Sequence, residues 1–159
     1  LTHNLLPPSQ ISIMPNFNFE MILPSDSRKL FELFTDYERY KQVFPDQLKE
    51  VSVVSRDGSV VITKEVLTFN TYFKNTELYQ KTSHNAQYPI LSSDVIDGPF
   101  KGTIVQVTFD ELDGGSKVSV NAELKIGLKY KLLSPIIKNK YKAILTSLLY
   151  KMNNIIMNA

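Results

Sequence analysis

The chain has 159 residues, 43% of them hydrophobic and 21% charged, with a formal net charge of +2 and no cysteine. That is enough for one domain with a real core, and the missing thiols exclude disulfides, thiolate metal sites and cysteine nucleophiles. Two histidines, His3 and His84, are too few for a histidine-built metal site, and no stretch approaches the roughly 18 unbroken apolar residues of a membrane span.

Residues 1–13 are polar and proline-containing and lack the basic-then-apolar layout of a signal peptide. They are expected to form a flexible extension ahead of one domain at 14–159, with Met14 as a start and a cytoplasmic location as the default. Phe17, Phe19 and Met21 alternate with Asn18 and Glu20, which predicts a first strand with one apolar face. Pro24-Ser25-Asp26 ends it and offers N-cap oxygens to a helix carrying Leu30, Phe31 and Phe34. Asp36 can cap a second short helix carrying Tyr37, Tyr40 and Val43, which Pro45 stops.

A series of strands follows: 48–55, 59–69, 71–83, 88–96, 103–112 and 117–126. Asp57-Gly58, Asp97-Gly98-Pro99 and Asp113-Gly114-Gly115 supply turn signals between them. The last strand alternates most cleanly, with Val118, Val120, Ala122, Leu124 and Ile126 on one face, and Thr103, Val105, Val107 and Phe109 are expected to share that inner face. Short connections between neighbours predict a largely antiparallel sheet. From Leu132 to about Met157 a closing helix puts Ile137, Tyr141, Ile144, Leu145, Leu148, Met152 and Ile155 in one stripe, with Asn153 and Asn154 away from it. Only the sheet is available to cover that stripe. The fold class is therefore α+β: about seven antiparallel strands curved around a long C-terminal helix, two short helices after the first strand, and a cavity between helix and sheet.

This order resembles the START/polyketide-cyclase (SRPBCC) superfamily, whose fold is called a helix-grip. Thr35-Asp36-Tyr37-Glu38-Arg39-Tyr40, with Val43-Phe44-Pro45 after it, and Val95-Ile96-Asp97-Gly98-Pro99-Phe100-Lys101 look like segments of the coenzyme Q-binding and ribosome-association-toxin branch. A gripped apolar helix and inner faces built from Val, Leu, Ile, Phe and Tyr point to a carrier or sensor that binds a hydrophobic small molecule such as a lipid, isoprenoid or quinone. The resemblance also allows a cyclase- or dehydratase-like enzyme, or a ribosome-associated regulator.

The candidate ligand-binding residues are Tyr37, Tyr40 and Phe44 over one end of the sheet, Phe100 in its turn, Val105, Val107, Phe109, Val120, Ala122 and Leu124 on the inner face, and Ile137, Tyr141, Ile144, Leu148 and Met152 on the helix. A ring with a hydroxyl suits a cavity rim, and a flexible methionine suits an adaptable wall. Among acids within strands, Glu65, Glu77 and Asp94 are candidates for polar groups in the cavity, although unpaired buried acids are rare and an outward orientation is expected. His84 is expected in a surface loop at a strand end. No nucleophile elbow, phosphate loop or metal-ligand spacing is present, so no catalytic residue, metal or cofactor is expected. Seven lysines and no acid lie between Leu124 and Ala159. Such a segment is either a solvated helix face or a contact with an anionic membrane.

Overall fold

The computed structural model describes residues 16–43, 46, 48–71 and 74–159, apart from the side chains of 41, 69–71 and 74. The expected extension at 1–13 and the candidate Phe44 lie outside these residues. The strands are β1 (Asn16–Leu23), β2 (Leu48–Asp57), β3 (Val60–Thr71), β4 (Lys74–Gln87), β5 (Ile90–Asp97), β6 (Ile104–Leu112) and β7 (Gly115–Glu123). They form one curved antiparallel sheet in the order β1-β7-β6-β5-β4-β3-β2. Chain neighbours pair across short turns, and only β1 crosses the sheet to pair with β7, where Phe17 faces Ala122 and Met21 faces Val118. This is the helix-grip architecture that the sequence predicts.

Helix α1 (Ser27–Phe34) begins where Asp26 accepts a hydrogen bond from the Lys29 amide at 3.0 Å, the expected cap. It buries Leu30, Phe31, Leu33 and Phe34. The second short helix is a 3-10 helix, Tyr37–Gln42, and Asp36 makes no side-chain cap. A 3-10 helix needs no more than one or two turns of chain, which suits a segment stopped this early. The closing helix α2 (Ser134–Met157) has Pro135 in its first turn, where a missing amide hydrogen costs nothing. Leu128–Leu133 precedes it as a separate 3-10 helix, so α2 starts later than the hydrophobic pattern suggests.

Along α2, Ile137, Tyr141, Ile144, Leu148, Leu149 and Met152 are buried. Burial of each such aliphatic side chain is worth roughly 1.5–3 kcal/mol. Asn153 is also buried, contrary to its expected outward position. Its side-chain oxygen accepts from the backbone amide of Ser25 at 3.2 Å and from the Ser25 hydroxyl, which ties α2 to the β1–α1 connection. A polar residue on the packed face of a helix is tolerable when its partners are fixed in this way.

The turn after β5 requires its glycine. Gly98 has φ of +110°, and a β-carbon there would lie 2.6 Å from the Tyr79 carbonyl oxygen. Any side chain would push β5 off β4. Phe100 then drops beneath the turn and is buried, edge-on to Tyr141 with ring centres 5.7 Å apart.

Candidate functional site

Strand parity decides what lies beneath α2. Lys64 on β3 faces Lys81 on β4 across the ladder, and both are exposed. Successive side chains point to opposite faces, so Thr63 and Glu65 on β3, and Gln80, Thr82 and His84 on β4, must turn inward. Ser93 joins them, because His84 pairs with Ser93 across β4 and β5. A cavity of about 120 Å³ lies between this polar strip, the Tyr37–Gln42 helix and the middle of α2, and it is neither sealed nor a surface groove. Its remaining walls are apolar, among them Leu48, Val51, Leu67, Leu91, Val95 and Leu145.

Two expectations are corrected here. Glu65 is only 7% exposed and lines the cavity. His84 lies within β4, which runs on to Gln87 before turning at Tyr88-Pro89, and its ring also lines the cavity. Asn85-Ala86-Gln87 reads as a polar turn, but Pro89 cannot donate to a ladder, and so it sits in the turn itself. Glu77 and Asp94 do point outward, Glu77 in an exposed ion pair with Lys49 that holds its carboxyl below the usual range.

The buried polar groups satisfy one another in a definite order. Thr63 and Thr82 donate to the two Glu65 carboxylate oxygens at 2.6 and 3.0 Å. The Thr63 hydroxyl has one proton, now given to Glu65, so at 2.8 Å from His84 Nε2 it accepts. Nε2 therefore carries the ring proton, and in the neutral imidazole Nδ1 accepts from the Ser93 hydroxyl at 2.7 Å. The chain of donors runs from Ser93 through His84 and Thr63 to Glu65. His84 Nε2 is also 3.7 Å from Glu65, close enough for a direct ion pair when the ring is protonated.

Tyrosines roof this strip. Tyr37 stacks on His84 with ring centres 4.4 Å apart, and Tyr141 donates to Gln80 at 3.1 Å. Tyr40 donates to the Phe34 carbonyl. Burial pushes all three phenols above their ordinary value, and the nearby Glu65 carboxylate adds to the shift. The Tyr37 hydroxyl is buried and has no hydrogen-bond partner among the described residues. An unmet buried hydroxyl can be satisfied by a water or by a ligand atom.

Of the residues expected at the site, Tyr37, Tyr40, Val105, Val107, Tyr141, Ile144 and Leu148 line the cavity. Phe100, Phe109, Val120, Ala122, Leu124, Ile137 and Met152 lie in the packed core instead. For Phe109 the reason is the position of α1: Phe31 and Phe34 meet it at 5.5 and 5.6 Å and fill the space over that part of the sheet. The space left open lies toward β2–β5.

Residues 23–152 match the sequence family described as polyketide cyclase / dehydrase and lipid transport. The chain belongs to that family. No protein of curated function matches the family member in sequence. Among solved structures, TTHA0849 from Thermus thermophilus is similar, with TM-score 0.74 and 18% identity over 91% of this chain and 98% of the other. Zhui aromatase/cyclase from Streptomyces sp. R1128 has TM-score 0.71 and 9% identity, covering 87% and 93% of the two chains. A START superfamily protein from Mycobacterium smegmatis has TM-score 0.65 and 13% identity, covering 90% and 97%. At these identities the likeness shows a shared fold. Among the described residues of this family member, no helix is long and apolar enough to cross a membrane.

Proposed function

We propose that the protein binds a small, largely apolar molecule bearing one polar group. The observation that carries this reading is a polar strip that includes Glu65, His84 and Ser93 in a cavity with apolar remaining walls, roofed by Tyr37, whose buried hydroxyl has no partner among the described residues. Apolar walls supply affinity by removing ligand surface from water, and convergent polar groups set orientation. Size narrows the class. A cavity of about 120 Å³ is near the roughly 150 Å³ that accepts benzene and below the roughly 300–1,000 Å³ of drug-sized pockets. A single ring such as a quinone-like head fits, whereas an extended lipid or isoprenoid chain requires α2 to move outward. A carrier or sensor role needs nothing more than binding, and a cavity supports it over a ribosome-associated regulator with a filled core.

A second reading has its own observation. Glu65 and His84 in one cavity are an acid–base pair, and the similar Zhui structure is an aromatase/cyclase. A general base within hydrogen-bond reach of a bound molecule could move a proton during cyclisation or dehydration.

The test begins with native mass spectrometry of the purified protein and identification of any extracted molecule. Calorimetric titration with single-ring phenols and ketones follows, on the wild type and on Tyr37→Phe. Ring binding that weakens in Tyr37→Phe supports the reading; no binding by any ring-sized probe, with nothing extracted, overturns it. Turnover of a bound ring compound that disappears in His84→Ala selects the enzyme.

A further inference from the structure

Leu128 and Leu132 are 87% and 97% exposed, the most solvent-accessible large apolar side chains among the described residues. They sit four apart on the 3-10 helix Leu128–Leu133, which buries none of its residues. Single exposed leucines need no explanation. These two have a particular setting: Lys125, Lys129 and Lys131 are exposed beside them, and Lys138 and Lys140 follow in the first turns of α2. No acidic residue occurs from Leu124 to the end of the chain. Ile136, 38% exposed, extends the apolar tip.

We propose that this tip docks on an anionic lipid bilayer, with Leu128 and Leu132 entering the acyl boundary and the lysines remaining at the headgroups. Aliphatic side chains at an exposed turn lose their water contact in that boundary, while lysine stems lie along apolar surface with their ammonium groups at the phosphates. The charge pattern fits an anionic surface and repels a second copy of the same tip. Nucleic acid would match the lysines, but two leucines at the centre of the patch have nothing to contact on a phosphate backbone. The tip also lies close to the cavity wall. Tyr130, between the two leucines, has its ring 6.0 Å from Phe100, which meets the cavity-lining Tyr141. Docking therefore brings that wall to the bilayer, whatever the cavity holds.

The experiment is co-sedimentation of the protein with phosphatidylcholine vesicles, with and without phosphatidylserine, across a salt series. Partition is expected only with phosphatidylserine and should weaken as salt rises. Leu128→Ser/Leu132→Ser should lower the partition coefficient at least tenfold. Lys129→Gln and Lys131→Gln should each lower it about fivefold, as expected for roughly one kilocalorie per basic residue at an anionic surface. Lys81→Gln, on the outer face of β4, should leave it unchanged. All these side chains are exposed, and an unaltered melting curve confirms that each variant is folded. Absence of wild-type partition, or wild-type partition by the double-serine variant, overturns the proposal. Titration of the cavity with ring probes in the double-serine variant separates the two readings, since docking can fail while the cavity still binds.

Discussion

The hydroxyl donors around Glu65 make a measurable prediction. Thr82 is 5% exposed, and its hydroxyl reaches Glu65 at 3.0 Å. Thr82→Val keeps the shape and removes the donor, leaving a buried carboxylate oxygen with one partner fewer. Hydrogen bonds to charged groups contribute about 1.5–3 kcal/mol, so Thr82→Val should destabilise by that amount. For a chain of this size the melting temperature should fall by roughly 3–12 °C. In a Glu65→Leu background the sign changes. The Thr82 hydroxyl then has no acceptor, and removing it should be neutral or stabilising. Urea unfolding followed by circular dichroism of the wild type, both single variants and the double variant closes the cycle. A coupling energy of about 1.5 kcal/mol or more is expected between the two positions. An equal cost of Thr82→Val in both backgrounds, within about 0.5 kcal/mol, would refute the assignment of the hydroxyl to the carboxylate.

Alkaline stability follows from the buried phenols. Tyr37, Tyr40 and Tyr141 hold their protons above the ordinary value in the folded state, whereas the unfolded chain releases them near pH 10. Above that pH the unfolded state binds fewer protons, so stability is intact below it and falls as pH rises. The slope should reach about 4 kcal/mol per pH unit for three groups, and Tyr141→Phe should reduce it by about a third in urea titrations at stepped pH. Asn153→Ala removes the acceptor of the Ser25 amide and should cost about 1–3 kcal/mol by thermal melting, for an orphaned buried donor. Leu148→Ala and Met152→Ala should each cost about 2–5 kcal/mol. Only Leu148 lines the cavity, so only Leu148→Ala should change the size of ring that calorimetry finds bound.

The sheet, its antiparallel order and the closing helix were legible because their signals are local and repeated. Val118, Val120 and Ala122 alternate with polar neighbours for a whole strand, and Asp113-Gly114 can hardly be read except as a turn. The middle of the sheet was harder to read. Val61-Ile62 and Val66-Leu67 put apolar residues on both faces of β3, which blurs the period of two. The signal that settles the faces is the lysine pair rather than the hydrophobic residues. Lys64 and Lys81 point to solvent, and counting from either places Glu65, Thr82 and His84 inside. The limits of the cavity were not legible. Phe109 and Val107 share one strand face, yet only Val107 lines the cavity, because the α1 aromatics that fill the space over Phe109 come from elsewhere in the chain.

That division of the inner face has a physical consequence for function. On the β1–β7–β6 side, Phe17, Met21, Val118, Val120 and Phe109 are closed over by α1 and α2, with Phe109 and Val118 fully buried. The β3–β5 side is covered by the Tyr37–Gln42 helix and the middle of α2, and there the sheet carries a carboxylate, an imidazole and hydroxyls among its aliphatic chains. A buried polar network of this kind contributes little net stability compared with an apolar packing of the same shape. Stability therefore resides mainly in the first half. On the proposed binding role, substitutions at Glu65, His84 or Ser93 should alter what the cavity accepts while the packed half keeps the fold.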